Sequence, residues 1–280
     1  MSAVTSTTGD GPPVYPPEPH ILRDLAFTTE MGDPHAARGW MDVGPHLRDT
    51  DGVIHPGAVA TLVDVLGGGL AAIAALPDWM ATADLTLHLL ARRDVGAVEA
   101  RARVVRAGRT TIVVEVDLDA DGAPFGLATM TFAVLPRRDG NPVLAAPGDV
   151  TRMTMALPDS GLRVPLEESV GIAVVDEIAG TAQLPIGEYV RNSLGAVQGG
   201  MMATLAATGA QRALSAAAGV AQRVVDLQVT YLSLARVGPV ATRTTVVAST
   251  PTTGTAHVEL VDTGADDRLT TVVRARAVTA

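Results

Sequence analysis

The chain has 280 residues, 47% hydrophobic and 18% charged, enough apolar material for a substantial core and a length that suits about two domains. A formal net charge of −9 leaves no basic stripe of the kind that neutralises nucleic-acid phosphates, so a nucleic-acid partner is not expected. With no cysteine, disulfides, thiolate nucleophiles and Cys-ligated zinc are excluded.

Residues 1–19 carry Thr, Gly and Pro without the basic and apolar regions of a secretory signal, and read as a disordered lead-in to a cytoplasmic protein. Ile21 to Met31 reads as a helix and Gly32 to Gly44 as a loop-rich stretch. Pro56 to Leu76 is one long apolar helix. Asp64 near its middle, Gly67-Gly68-Gly69, and Pro56 and Pro77 at its ends fit a helix buried inside a soluble fold better than a membrane span. Strand-like runs follow at Met80–Leu90, Val98–Arg106, Thr110–Leu118 and Phe125–Leu135, with Asp119-Ala120-Asp121-Gly122 as a hairpin turn. Residues 137–162 are rich in Pro, Gly and Asp and read as a linker between domains at 20–136 and 163–280.

The order then repeats: a short helix at Pro165–Gly171, extended chain to Leu184, a loop at Val190–Val197, a helix at Gly199–Ala218, and strands at Val224–Leu232, Val240–Ser249, Thr255–Val261 and Leu269–Ala277. A helix apolar on nearly all sides must be enclosed, and a curved antiparallel sheet wrapped around it is the simplest enclosure. The expected class is α+β, with two such units in tandem.

The halves are also related residue by residue. His55-Pro56-Gly57-Ala58-Val59-Ala60-Thr61-Leu62-Val63-Asp64 returns as Gln198-Gly199-Gly200-Met201-Met202-Ala203-Thr204-Leu205-Ala206-Ala207, at a constant offset of 143. Asp64 thus corresponds to Ala207, His55 to Gln198 and Pro56 to Gly199. Gly199 and Gly200 at a helix start leave unpaired N–H groups at the positive end of the helix dipole, able to polarise a carbonyl and stabilise an oxyanion. Pro56 offers no such donor. Asp64 lies seven residues beyond Gly57, about 10 Å along the axis, too far to serve its own helix terminus but able to serve that of a helix packed beside it.

Asn192-Ser193-Leu194-Gly195-Ala196-Val197-Gln198-Gly199-Gly200, the related Asp49 to Gly57 segment, Asp64 and the helix-plus-sheet order together resemble the hotdog fold, and more narrowly the phenylacetate-pathway type of acyl-CoA thioesterase. The resemblance covers about 20–135 and 163–278. It implies a double hotdog whose halves act as the two protomers of a dimeric site. Asp64 of the first half would then be general base or nucleophile, and Gly199, Gln198 and Asn192 of the second would bind the thioester carbonyl beside Gly200. It also implies a hydroxyl near the carboxylate, for which Thr82 is the candidate, its counterpart being Val224. Arg106 and Arg109 at a strand-to-strand turn would contact coenzyme A phosphates. The reciprocal site, with Ala207 against Pro56, would lack both carboxylate and donor and be inactive.

The expected function is hydrolysis of an acyl-CoA, with coenzyme A part of the substrate and no separate cofactor. A noncatalytic acyl-CoA or lipid-binding protein is the alternative. A hydratase ranks last, for want of its Asp-x-Asn-Pro-x-His-type pattern. The six His lack metal-ligand spacing, and no Gly-x-Ser-x-Gly elbow is present. No membrane partner is expected, and a homodimer of double-hotdog chains is.

Overall fold

The computed structural model describes residues 15–49, 51–90, 94–137 and 149–279. Most of the expected lead-in and the middle of the expected linker lie outside the described residues.

Two apolar helices, α2 (Pro56–Ala75) and α4 (Gly199–Ala218), carry the two halves. α2 is long and apolar enough to cross a membrane, yet 72% of its most apolar window is buried inside the protein. The short helices α1 (Ile21–Asp24) and α3 (Leu166–Ser169) precede them. In the first half the strands are β1 (Thr28–Met31), β2 (Ala36–Asp42), β3 (Trp79–Leu89), β4 (Ala97–Ala107), β5 (Thr111–Ala120), β6 (Ala123–Leu135) and β7 (Thr151–Thr154). In the second they are β8 (Ala173–Asp176), β9 (Thr181–Leu184), β10 (Arg223–Tyr231), β11 (Val240–Ser249), β12 (Thr253–Asp262) and β13 (Arg268–Val278).

The thirteen strands among the described residues form one sheet, in the order β7-β1-β2-β4-β5-β6-β3-β10-β13-β12-β11-β9-β8. The two halves meet where β3 pairs antiparallel with β10, Thr230 opposite Asp84 and Asp226 opposite His88. On the long strands every second side chain faces a helix: Ile112, Val114, Val116 and Leu118 of β5, and Ala256, Val258 and Leu260 of β12, are all buried. α4 ends at Gly219, whose φ of 67° is the left-handed conformation that a helix C-cap requires.

Three expectations need correction. The helix read over Ile21–Met31 stops at Asp24, and Thr28–Met31 is strand β1. The stretch read as loop contains β2, which owes its conformation to pairing with β4 along Ala36–Asp42. The expected linker contributes β7, which pairs with β1 and caps that edge of the sheet.

α2 and α4 cross antiparallel through small residues. Gly57 faces Thr204 and Gly200 faces Thr61, and each threonine hydroxyl donates to the glycine carbonyl one turn earlier in its own helix (Thr61 to Gly57, 2.7 Å; Thr204 to Gly200, 2.8 Å). A Cβ at Gly57 would stand 2.6 Å from the Thr204 Cα, and one at Gly200 2.5 Å from the Thr61 Cα. The neighbour is backbone in both cases and cannot rotate away, so Gly57→Ala and Gly200→Ala should each destabilise by about 1–3 kcal/mol or more. Chemical denaturation reads this directly, and an unchanged midpoint in either variant would refute the crossing.

Candidate active site

The antiparallel crossing decides where Asp64 goes. One turn beyond Thr61 along α2 is one turn back along α4, at its N-terminus. There Asp64 Oδ2 accepts from Gln198 Nε2 at 2.8 Å, Oδ1 accepts from Thr82 Oγ1 at 3.3 Å, and the backbone N–H of Gly200 also favours the charged carboxylate. Gln198 is the N-cap of α4, its Oε1 accepting from the Met201 N–H at 3.2 Å, so one side chain both closes the helix and orients the carboxylate. A Cβ on Gly199 would lie 2.8 Å from Asp64 Oδ2. Only glycine lets the carboxylate lie this close to the helix start.

All three donors to Asp64 are neutral. Surrounding protein strips water from the carboxylate and raises its pKa from the ordinary 3.8 to about 6, against the opposing pull of the Thr82, Gly200 and Gln198 hydrogen bonds. Two phenols face the same charge. Tyr231 at the end of β10 and Tyr15 ahead of α1 are both raised above their ordinary values by burial first and by Asp64 second.

The structure therefore brings Asp64, Thr82, Gln198, Gly199 and Gly200 together. The Gly200 N–H acts on the Asp64 charge, whereas the Gly199 N–H is the first of the helix and has no intrahelical acceptor. Asn192 has a different place: its Oδ1 accepts from the N–H groups of Leu194 (2.9 Å) and Ala196 (3.1 Å), holding the loop that leads into α4. Arg106 and Arg109 are exposed at the β4–β5 turn. By register Ala107 lies opposite Ile112, Ile112 opposite Phe132 and Phe132 opposite Thr82. The turn is thus at the Thr82 end of the sheet, three strand spacings or about 14 Å away.

A family model described as the Thioesterase superfamily matches residues 51–123, a span that includes Asp64 and Thr82. Among solved structures, an acyl-ACP thioesterase from Bacteroides thetaiotaomicron superposes with a TM-score of 0.58 at 12% identity, over 86% of this chain and 97% of its own. The tesB protein of Mycobacterium avium subsp. paratuberculosis gives 0.59 at 14% identity, over 89% and 94%. A hot dog fold protein of unknown function from Alicyclobacillus acidocaldarius gives 0.57 at 16% identity, over 90% and 95%. The fold is a double hotdog. No curated protein matches the sequence.

The two corners of this double hotdog, one at each helix N-terminus, differ more than the repeat suggested. The expectation that the reciprocal corner lacks a carboxylate is corrected. Ala207 does leave the helix position empty of charge, but Glu167 of α3 enters from outside the repeated helix. Glu167 accepts from Thr208 Oγ1 at 2.7 Å and from Arg212 at 3.2 Å, and its Oε1 lies 3.4 Å from His55 Nε2. His55 Nδ1 accepts the Gly57 N–H at 3.1 Å, which leaves Nε2 to carry the proton toward Glu167. Burial would raise the Glu167 carboxyl, but the His55 hydrogen bond and charge, Thr208 and Arg212 outweigh it and hold the pKa at about 2. Nearby, buried Arg223 joins β10 to the first half through Asp49 (2.6 Å) and Asp51. A cavity of about 370 Å³ beside Arg212 and Arg223 lies toward the far end of α4 from Asp64.

Glu167, Tyr15 and Tyr231 were not singled out by the sequence. Tyr231 had a signal, since its counterpart in the aligned strands is Leu89. Glu167 had none, because its partners come from three separate segments.

The two carboxylates should act oppositely on stability. The folded pKa of Asp64 lies above the unfolded value near 3.9, so its ionisation costs stability as pH rises through about 4 to 6. Asp64→Asn should stabilise the protein at pH 8, by an amount on the order of 2 kcal/mol, and have little effect at pH 4. The folded pKa of Glu167 lies below the unfolded one, so its contribution is present above about 4.3 and lost as pH falls through 2. Glu167→Gln should destabilise by about 2 kcal/mol at pH 7 and progressively less in acid. Urea midpoints at the two ends of each pH range test both signs.

Proposed function

We propose that this chain is a thioester hydrolase acting on acyl-CoA, with one composite site in which Asp64 of the first half works at the N-terminus of α4 in the second. The observation that carries the proposal is the placement of a desolvated carboxylate against a Gly-Gly helix start, with Gln198 and Thr82 fixing its orientation. A carboxylate with a pKa of about 6 is half-ionised just below neutrality, where a general base is best matched to water.

In the proposed reaction the thioester carbonyl oxygen lies at the open N–H of Gly199, at the positive end of the α4 dipole. Asp64 takes a proton from a water held with the help of Thr82, and the water oxygen bonds to the carbonyl carbon. The oxyanion collapses, the C–S bond breaks, and the leaving thiolate takes the proton back from Asp64. Acid and thiol leave, and the carboxylate is restored. Arg106 and Arg109, about 14 Å from Thr82 at the same end of the sheet, are the anion contacts that favour a coenzyme A substrate. The names of the thioesterases that share the fold agree with this chemistry and place no limit on the acyl group.

A panel of aliphatic and aromatic acyl-CoAs, followed by release of free thiol, tests the proposal. Hydrolysis should occur, with kcat/KM rising through about pH 6 to a plateau. Asp64→Asn should lower turnover by on the order of 10³-fold or more while the protein stays folded. Acyl-CoA binding without hydrolysis across the panel would instead establish a binding protein, and near-normal turnover in Asp64→Asn would remove Asp64 from the mechanism.

A further inference from the structure

Tyr231 is the last residue of β10, beside β3 and one position beyond the Thr230–Asp84 pair, and so next to the segment that carries Thr82. Its hydroxyl donates to the carbonyl oxygen of Gly199 at 3.0 Å. That carbonyl shares a peptide unit with the N–H of Gly200, which helps to stabilise the Asp64 charge. Phenol, peptide and carboxylate are thus adjacent, with the phenol and the amide both oriented toward the charge.

We propose that Tyr231 is a positioning residue for the reaction at Asp64: by donating to the Gly199 carbonyl it fixes the Gly199–Gly200 peptide, against which the Asp64 carboxylate lies, and polarises its N–H toward the charge. The inference rests on the hydrolytic reading above. Donation to an amide oxygen draws charge toward it and leaves the N–H of the same amide a better donor, and such polarisation strengthens a linked bond by roughly 10–30%. Burial and the neighbouring negative charge keep the phenol protonated, so it remains a donor throughout the working range. The same bond holds the first peptide of α4, whose Gly199 N–H is the proposed carbonyl-binding donor.

The other corner has no such group. The counterpart of Tyr231 in the aligned strands is Leu89, which has no hydroxyl to donate. Among the described residues, the titratable groups that respond to the Asp64 charge are the phenols of Tyr231 on β10 and Tyr15 ahead of α1. The partners from α4 and β3, namely Gln198, the Gly200 N–H and Thr82, are neutral. Tyr15 donates instead to the Arg191 carbonyl, at 3.4 Å.

Tyr231→Phe keeps the ring and removes the donor. It should lower kcat by about 3- to 10-fold, the loss of one modest hydrogen bond, leave KM within about twofold, and move the acid limb of kcat/KM upward by about half a pH unit. A second readout needs no turnover. The pH dependence of the stability difference between wild type and Asp64→Asn reports the Asp64 pKa, and repeating it in the Tyr231→Phe background should show that pKa raised. A stability loss with an unmoved acid limb and an unmoved linkage curve would make Tyr231 structural only and overturn the inference. If the linkage curve moves while no acyl-CoA is hydrolysed by the wild type, the coupling stands and the hydrolytic reading fails.

Discussion

The close antiparallel contact of α2 with α4 is the constraint on which the rest of the molecule depends. It is made of two glycines and two threonines, and it works because neither glycine has a Cβ to hold the helices apart. Small residues at a crossing bring backbones together, and here they also set the register. Thr61 against Gly200 fixes what lies one turn further on, so Asp64 arrives at Gly199 and Gln198 rather than against a side of the helix. The sheet then encloses both helices. Its β3–β10 junction brings Thr82 and Tyr231, from different halves, to the same corner.

The two helix N-termini began as copies and now show two ways of keeping a carboxylate out of water. At one, Asp64 is given only neutral donors, and desolvation leaves it a base with a pKa of about 6. At the other, Glu167 has a guanidinium and an imidazole beside it and is held at about 2, an ion with little tendency to take a proton. The difference is in the charge of the neighbours more than in depth of burial. In the proposed reaction the first corner supplies the base, while the second is a half-to-half contact in which His55 meets Glu167 and Asp49 and Asp51 meet Arg223.

Much of this was legible in the sequence. The apolar runs of α2 and α4 and the alternation in β4, β5, β12 and β13 are local signals, and they lie within a few residues of where they were read. β1, β2 and β7 were missed for a shared reason. Ala36–Asp42 is a strand because β4 lies beside it, and Thr151–Thr154 because β1 does, neither of which is written in the segment itself. At the site, position-by-position comparison of the repeat exposed Asp64, Gln198 and Thr82 because each differs from its counterpart. It failed at the reciprocal corner because Glu167 is not a changed copy of a helix residue. Its carboxylate reaches the same place from α3, and a comparison that assumes equivalent positions does not see a replacement from elsewhere.

The asymmetry also explains why fusion of the halves matters. Two copies of the first half paired in this way would put each Asp64 against a helix that starts with Pro56, which has no N–H to receive a carbonyl oxygen. Two copies of the second half would give two open Gly199 termini, each facing Ala207 and a Glu167 carboxylate that Thr208 and Arg212 of its own half hold ionised. Only the mixed pair places the Asp64 carboxylate, with its raised pKa, against an N-terminus with a free donor, and it does so once, because the other mixed corner joins Ala207 to Pro56. In the proposed reaction the second corner holds no reacting group, and it carries charged contacts that would be out of place beside the proposed base. An arginine beside Asp64 would lower its pKa as Arg212 helps to lower that of Glu167, and would take away the basicity on which the proposed chemistry relies.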